Sequence, residues 1–197
     1  MNPNIADLVQ RIRALEQELE MQLALTRADL KLRIEGGRID FEQAVRQRHE
    51  QMKKRLLRYV LGARLLILIT APVIYMLIVP LVLLDLFVTV YQWVCFPVYG
   101  IPKVRRSRYL VFDRRYLAYL NALEKLNCAY CSYANGVIEY VREIASLTEQ
   151  YWCPIKHARK LVAAHPRYSG FADFGDADGY QKELEALREQ VRKAREE

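Results

Sequence analysis

The chain has 197 residues, with 30 Lys or Arg against 23 Asp or Glu and a formal net charge of +7. That length allows one domain of ordinary size, and the positive balance raises nucleic acid as a partner. The basic side chains, however, crowd the two edges of a single apolar stretch, the pattern of a polybasic surface on an anionic leaflet, which argues for a membrane and against nucleic acid. No phosphate-binding glycine loop, nucleophile elbow or HExxH zinc motif is present.

The N-terminal residues MNPNIADLVQ lack a basic segment followed by an apolar one, so no cleaved signal peptide is expected. From Ile5 the apolar residues Ile5, Leu8, Ile12, Leu15 and Leu19 step by three, four, three and four, a seam at coiled-coil spacing. The seam predicts a homodimer or partner-docking helix, or an amphipathic helix lying on another arm of the same chain. Gly36-Gly37 interrupts the pattern. LKLRI-EGG-RIDF alternates well enough for a small hairpin, but with no neighbouring strands evident, two helices about a hinge are preferred. The second would be capped by Asp40 and run through Phe41, Val45, Met52, Leu56 and Val60.

Leu65 to Tyr99 follows, an apolar stretch whose one full charge is Asp85. It exceeds the ~18 apolar residues that mark a membrane segment, and as one straight helix it would reach roughly 52 Å against a hydrocarbon core of about 30 Å. Pro80, near its middle, predicts a break into two short legs, a membrane hairpin. The flanks agree: Arg46, Arg48, Lys53, Lys54, Arg55, Arg58 and Arg64 precede the stretch, and Lys103, Arg105, Arg106, Arg108, Arg114 and Arg115 follow it. Basic flanks of near-equal weight put both termini on the cytoplasmic side. Asp85 then lies either near the far headgroups at the turn or at membrane depth as a relay or partner contact. Tyr91, Trp93 and Tyr99 suit an interfacial aromatic belt, and Gly100-Ile101-Pro102 ends the helix.

Beyond a basic linker, Asp113 is expected to cap a helix presenting Tyr116, Leu117, Leu120, Leu123 and Leu126. Asn135-Gly136 predicts a break, and Val137, Ile138, Val141, Ile144 and Leu147 a second helix folded back on the first. PRYSGFADFGDADGY reads as a loop, followed by a charged helix from about Tyr180 to Glu197. Asp173, Asp176 and Asp178 superficially suggest a calcium loop, but Phe174 stands where its first carboxylate is needed.

The pattern with most chemistry is Cys128-Ala-Tyr-Cys131 and, further on, Cys153-Pro-Ile-Lys-His157. Cysteines in a cytoplasmic arm argue for metal or redox use over disulfides. Cys128, Cys131, Cys153 and His157 form a candidate tetrahedral site for structural zinc, with iron as the alternative and His165 in reserve. Pro154 would open a helix capped by Cys153, placing Cys153 and His157 on one face. The same residues would also serve a membrane-bound thiol-redox or electron-transfer enzyme.

Two stretches, VCFPVYGIPKVRRSRYLVFDRRYLAYLNALEKLNCAYCSYANG and YVREIASLTEQYWCPIKHARK, resemble an uncharacterised family of bacterial membrane-associated proteins. The resemblance implies a bacterial source and a shared architecture, and no activity; with the basic flanks, the expected location is the bacterial inner membrane. The expectation is an all-α chain: a helical arm over residues 1–64, a membrane hairpin over 65–99, and a helical metal-binding module over 100–197. Its expected role is that of a membrane-anchored, metal-binding adaptor or scaffold. The rival is the redox enzyme, and a third reading is a membrane-shaping wedge.

Overall fold

The computed structural model describes residues 3–29, 32–35, 38–41, 43–53 and 65–193. The described residues are predominantly helical, with six α-helices: α1 (Pro3–Asp29), α2 (Gln43–Gln51), α3 (Leu65–Met76), α4 (Ile78–Tyr99), α5 (Ala122–Trp152) and α6 (Ala177–Lys193). Single-turn 3₁₀ segments lie at Arg106–Arg108, Asp113–Tyr116 and Pro166–Gly170. Two short strands, β1 (Leu32–Glu35) and β2 (Arg38–Phe41), pair antiparallel with Leu32 opposite Phe41 and Ile34 opposite Ile39. The hairpin reading of LKLRI-EGG-RIDF therefore holds, and the preferred pair of hinged helices does not. Gly36-Gly37 itself lies outside the described residues, as do Leu56 and Val60 of the expected second helix and the end of α6 beyond Lys193.

The chain divides into two compact units, one of residues 1–63 with 112–129, the other of 64–111 with 130–197. In the first, α1 exposes Leu8, Ile12, Leu15 and Leu19. His49 of α2 meets Tyr119 edge to face at 5.1 Å. The helix expected from Asp113 begins later. Asn121 Oδ1 accepts from the Glu124 N–H at 3.0 Å while Glu124 Oε2 accepts from the Asn121 N–H at 2.9 Å. This reciprocal capping box satisfies two backbone donors at once and starts α5 at Ala122.

The second unit is built along α4. Pro80 does not turn the chain back on itself, because it falls in the first turn of α4, where its missing N–H has no partner to lose. The helical pattern is interrupted three residues earlier, at Leu77, and a run from Ile69 to Tyr99 is long and apolar enough to span a membrane. Gly100 ends it, with φ at 72° in the left-handed region that glycine adopts without penalty, and the Ile101 N–H donates back to the Phe96 carbonyl at 2.9 Å.

From Ile101 an extended strap runs back along α4, Val104 at the level of Gln92 and Arg106 at the level of Asp85. The chain then re-enters this unit as α5, which runs parallel to α4. Tyr130 Oη donates to the Ile74 carbonyl at 2.7 Å, Tyr133 reaches Asp85, Tyr91 and Thr148 share a hydrogen bond of 3.1 Å, and the Tyr99 and Tyr151 rings stack at 5.2 Å. Phe96, Ile101, Tyr140, Ile144, Leu147 and Val191 form the core between α4, strap, α5 and α6. Gln150 Nε2 donates to the Leu187 carbonyl at 3.1 Å and Arg188 Nε to the Tyr151 carbonyl at 3.0 Å, fastening α6 to the end of α5.

α5 is one helix of 31 residues where two were expected. Asn135-Gly136 does not break it, because Gly136 is required by packing. A Cβ there would stand 2.7 Å from the Tyr109 carbonyl oxygen and 3.2 Å from Leu110 Cα, both backbone atoms of the strap. Gly136→Ala, worth roughly 1 kcal/mol of stabilisation in a free helix, is therefore expected to destabilise this protein by a net ~1–2 kcal/mol through overpacking. Thermal unfolding in detergent, followed by circular dichroism, measures the sign. A rise in stability would mean that the strap does not lie against α5.

Candidate functional site

Asp85, Thr89 and Gln92 recur at helical spacing along one face of α4, and the strap and α5 close over them. Asp85, with 10% of its side chain exposed, receives a forked pair from Arg106: Nε to Oδ1 at 3.0 Å and the terminal nitrogen to Oδ2 at 2.5 Å. Tyr133 Oη donates to Oδ2 at 3.0 Å, and Thr89 Oγ1 donates to Oδ1 at 3.4 Å. Arg106 comes from the single turn Arg106–Arg108 of the strap. Its planar fork suits two carboxylate oxygens, which makes the pair directional as well as attractive. The Tyr133 phenol is pushed up, first by burial and then by its hydrogen bond to the Asp85 carboxylate, so it stays protonated as a donor.

Two turns on from Asp85, the buried Gln92 amide pairs with the strap backbone: the Val104 N–H donates to Oε1 at 3.0 Å and Nε2 donates to the Val104 carbonyl at 3.4 Å. The same Nε2 donates to Tyr140 Oη, at the centre of the core. An amide presenting both a donor and an acceptor acts here as a short strand edge for a strap that has no sheet to join. The opposite side of α4 is different in kind. Val79, Val82, Leu83, Leu86, Phe87, Val90, Trp93, Val94 and Val98 are all exposed, and Lys103 holds its ammonium 5.8 Å over the Trp93 ring. α4 thus carries a polar, satisfied face and a bare apolar one.

The structure does not gather the residues expected to bind metal. Cys128 and Cys131 lie near the start of α5, and Cys153 follows its last residue, with the Cys153 N–H still donating to the Glu149 carbonyl at 2.9 Å. Cys131 and Cys153 are separated by roughly 33 Å of unbroken helix at ~1.5 Å per residue, far beyond the span of a tetrahedral site. Among the described residues no group of three or more His, Cys, Asp or Glu is placed to hold an ion. Pro154 does not open a helix either. Residues 153–157 are extended, because the Ala172 N–H donates to the Pro154 carbonyl and the Lys156 N–H to the Ala172 carbonyl, at 2.9 and 2.8 Å. Lys156 pairs with Asp173 at 2.8 Å, holding that carboxyl below its usual range.

His157 stacks on Tyr168, whose Oη accepts the His157 backbone N–H. His165, the reserve ligand, instead pairs with Glu149 at 2.9 Å against Tyr168 and Phe171. Beside it Arg167 forks onto Glu143 at 2.6 and 3.0 Å and donates to Ser146 at 2.8 Å. These contacts fasten the loop 153–171 to α5. Sequence reasoning singled out Asp85 but missed Arg106, Tyr133, Gln92 and Tyr140. The available signal was the Asp85, Thr89, Gln92 stripe, a polar face inside an apolar helix. Comparison with protein-family models, with curated proteins and with solved structures finds no match to this chain.

Two outcomes follow from this geometry. Arg106→Ala leaves Asp85 enclosed without its cation and is expected to cost about 2–3 kcal/mol, less than the roughly 3–5 of a fully buried pair because 47% of the Arg106 side chain is exposed. The double variant Asp85→Leu/Arg106→Leu is expected to recover most of that loss, and denaturant unfolding in detergent compares the two; equal losses would remove the ion pair as the organising contact. Oxidation with copper phenanthroline followed by peptide mass mapping is expected to yield no intrachain Cys131–Cys153 disulfide, since such a bond needs Cα atoms within about 7 Å. Finding one would mean that α5 is not continuous.

Proposed function

We propose that this protein is a membrane-anchored helical scaffold: α4 seats the second unit on a lipid bilayer, and α1 offers the Leu8, Ile12, Leu15, Leu19 seam to a second helix, that of another copy or of a partner protein. The observation that carries the reading is the division of α4 into a polar face satisfied by its own chain and an apolar face of nine exposed side chains. A contiguous exposed patch of that kind marks a membrane or protein contact. Lys103, Arg105 and Arg108, all exposed on the strap beside it, favour an anionic leaflet. Zinc or iron on Cys128, Cys131, Cys153 and His157 has no place in this reading, since the length of α5 keeps the two ends of that set apart. The cytoplasmic face of a bacterial inner membrane remains the compartment that the basic flanks and the family resemblance favour.

Flotation with phosphatidylglycerol-containing vesicles tests the anchor. The full chain is expected to float with the vesicles, and Phe87→Glu/Val90→Glu to lose at least ten-fold in bound fraction while keeping its helical circular dichroism. Ile12→Asp/Leu15→Asp is expected to float as well as the parent and to lose the cross-linked dimer or partner adduct. Unchanged flotation of the Phe87→Glu/Val90→Glu variant would sink the reading.

A further inference from the structure

We infer that α4 does not cross the bilayer but lies in its plane, embedded in the acyl layer of one anionic leaflet by its exposed face. This rests on the membrane-anchor reading and adds the geometry of the anchor. Three limiting placements bracket a helical run from Leu65 to Tyr99, which at ~1.5 Å per residue is longer than the roughly 30 Å hydrocarbon core.

In the first, residues 65–84 stand upright and the rest of α4 projects into water. Leu86, Phe87, Val90, Trp93, Val94 and Val98 would then all face solvent, although each is exposed in the folded unit and nothing in that unit covers it. In the second, α4 itself stands upright. Its partner α5 runs parallel to it, from Tyr130 beside Ile74 to Tyr151 beside Tyr99, and would enter the hydrocarbon with it. With α5 would go Glu139, Arg142, Glu143 and Glu149, together with Arg167 and His165 on the loop that α5 carries. Ionisable groups at that depth are tolerated when they face a protein interior or an aqueous cavity, whereas Glu139 and Arg142 are exposed on the outer side of α5.

The third placement meets neither obstacle. With α4 in the plane, its apolar arc enters the acyl boundary, the depth of about 5–10 Å at which amphipathic helices reside, and the Asp85–Arg106 network and α5 stay on the aqueous side. Lys103 over Trp93 then sits at the headgroup level, where an aromatic ring and an ammonium are both at home. α3, with 12 residues and about 18 Å of length, is too short to cross alone.

The chain has two tryptophans, which makes depth measurable by quenching with phosphatidylcholines brominated at the 6,7, 9,10 or 11,12 positions, mixed with phosphatidylglycerol. Trp152→Phe isolates Trp93 with a conservative change. In the background Trp93→Phe/Trp152→Phe, single probes are placed at Val82→Trp, Phe87→Trp and Val98→Trp, all on the exposed face. The expected result is the same shallow depth for all four probes, with the 6,7-bromolipid the strongest quencher throughout. A helix standing upright separates positions 82 and 98 by about 24 Å along the membrane normal, so a graded profile would overturn the in-plane seating and keep the membrane anchor. Absence of quenching at every position, Trp93 included, would overturn both.

Discussion

The second unit depends on how a carboxylate is accommodated in the middle of an apolar helix. Asp85 alone would cost about 2.5–3.5 kcal/mol at the centre of a membrane helix on insertion scales, and it would cost as a buried charge in any dry protein core. The chain resolves this by returning after Gly100 and laying Arg106 against it, with Tyr133 completing the acceptor's shell. The direction of the strap follows from that contact. Once Arg106 is fixed beside Asp85, Val104 falls beside Gln92 and Tyr109 beside Gly136, so the ion pair, the amide clasp and the close approach to α5 are one registered set. Such pairs contribute little net stability compared with apolar replacements but are costly when half-removed. Their effect here is on register: they specify which face of α4 the rest of the unit covers.

Features that depend on a few neighbouring residues were legible in the sequence. The helical N-terminal segment, the apolar run, the stop at Gly100 and the charged C-terminal helix each rest on local periodicity or on one residue's backbone preference, and each is present. Features that depend on what approaches from elsewhere were not. Pro80 and Gly136 are both helix breakers by propensity, yet one sits where a helix needs no N–H and the other where the strap leaves no room for a Cβ. Asn121-Ala-Leu-Glu124 is a readable capping box that marks the true start of α5, and Asp113, a plausible cap on its own, lacks the glutamate three residues on.

The cysteine pattern shows the same limit from the side of chemistry. Spacing between a Cys-x2-Cys pair and a Cys-x3-His pair says that four ligands exist, and it says nothing of whether the intervening segment folds back. Here the segment from Cys131 to Trp152 is helical throughout, so the two ends of the set are held far apart. The histidines are accounted for by other partners, His165 by Glu149 and His157 by Tyr168. What the Cys-Pro-Ile-Lys-His segment does contribute is a short extended edge against Ala172, through which the loop after α5 is returned to the helix that precedes it.

The two faces of α4 are coupled through the strap. Trp93 on the bare face is one residue from Gln92 on the covered face, and Lys103, whose ammonium lies over Trp93, is one residue from Val104, which Gln92 holds. A helix that presented its apolar arc without this clasp would be free to roll, and rolling would bring Asp85 toward lipid. With Asp85 and Gln92 gripping the strap through Arg106 and Val104 at two points along the axis, rotation of α4 relative to the strap would break both contacts together. The polar stripe therefore sets the rotational angle at which the apolar arc faces outward, and the basic residues of the strap are held at the edge of that arc by the same two contacts. In the proposed seating the internal network of the unit and its attachment to a leaflet share one determinant, the spacing of Asp85 and Gln92 on α4.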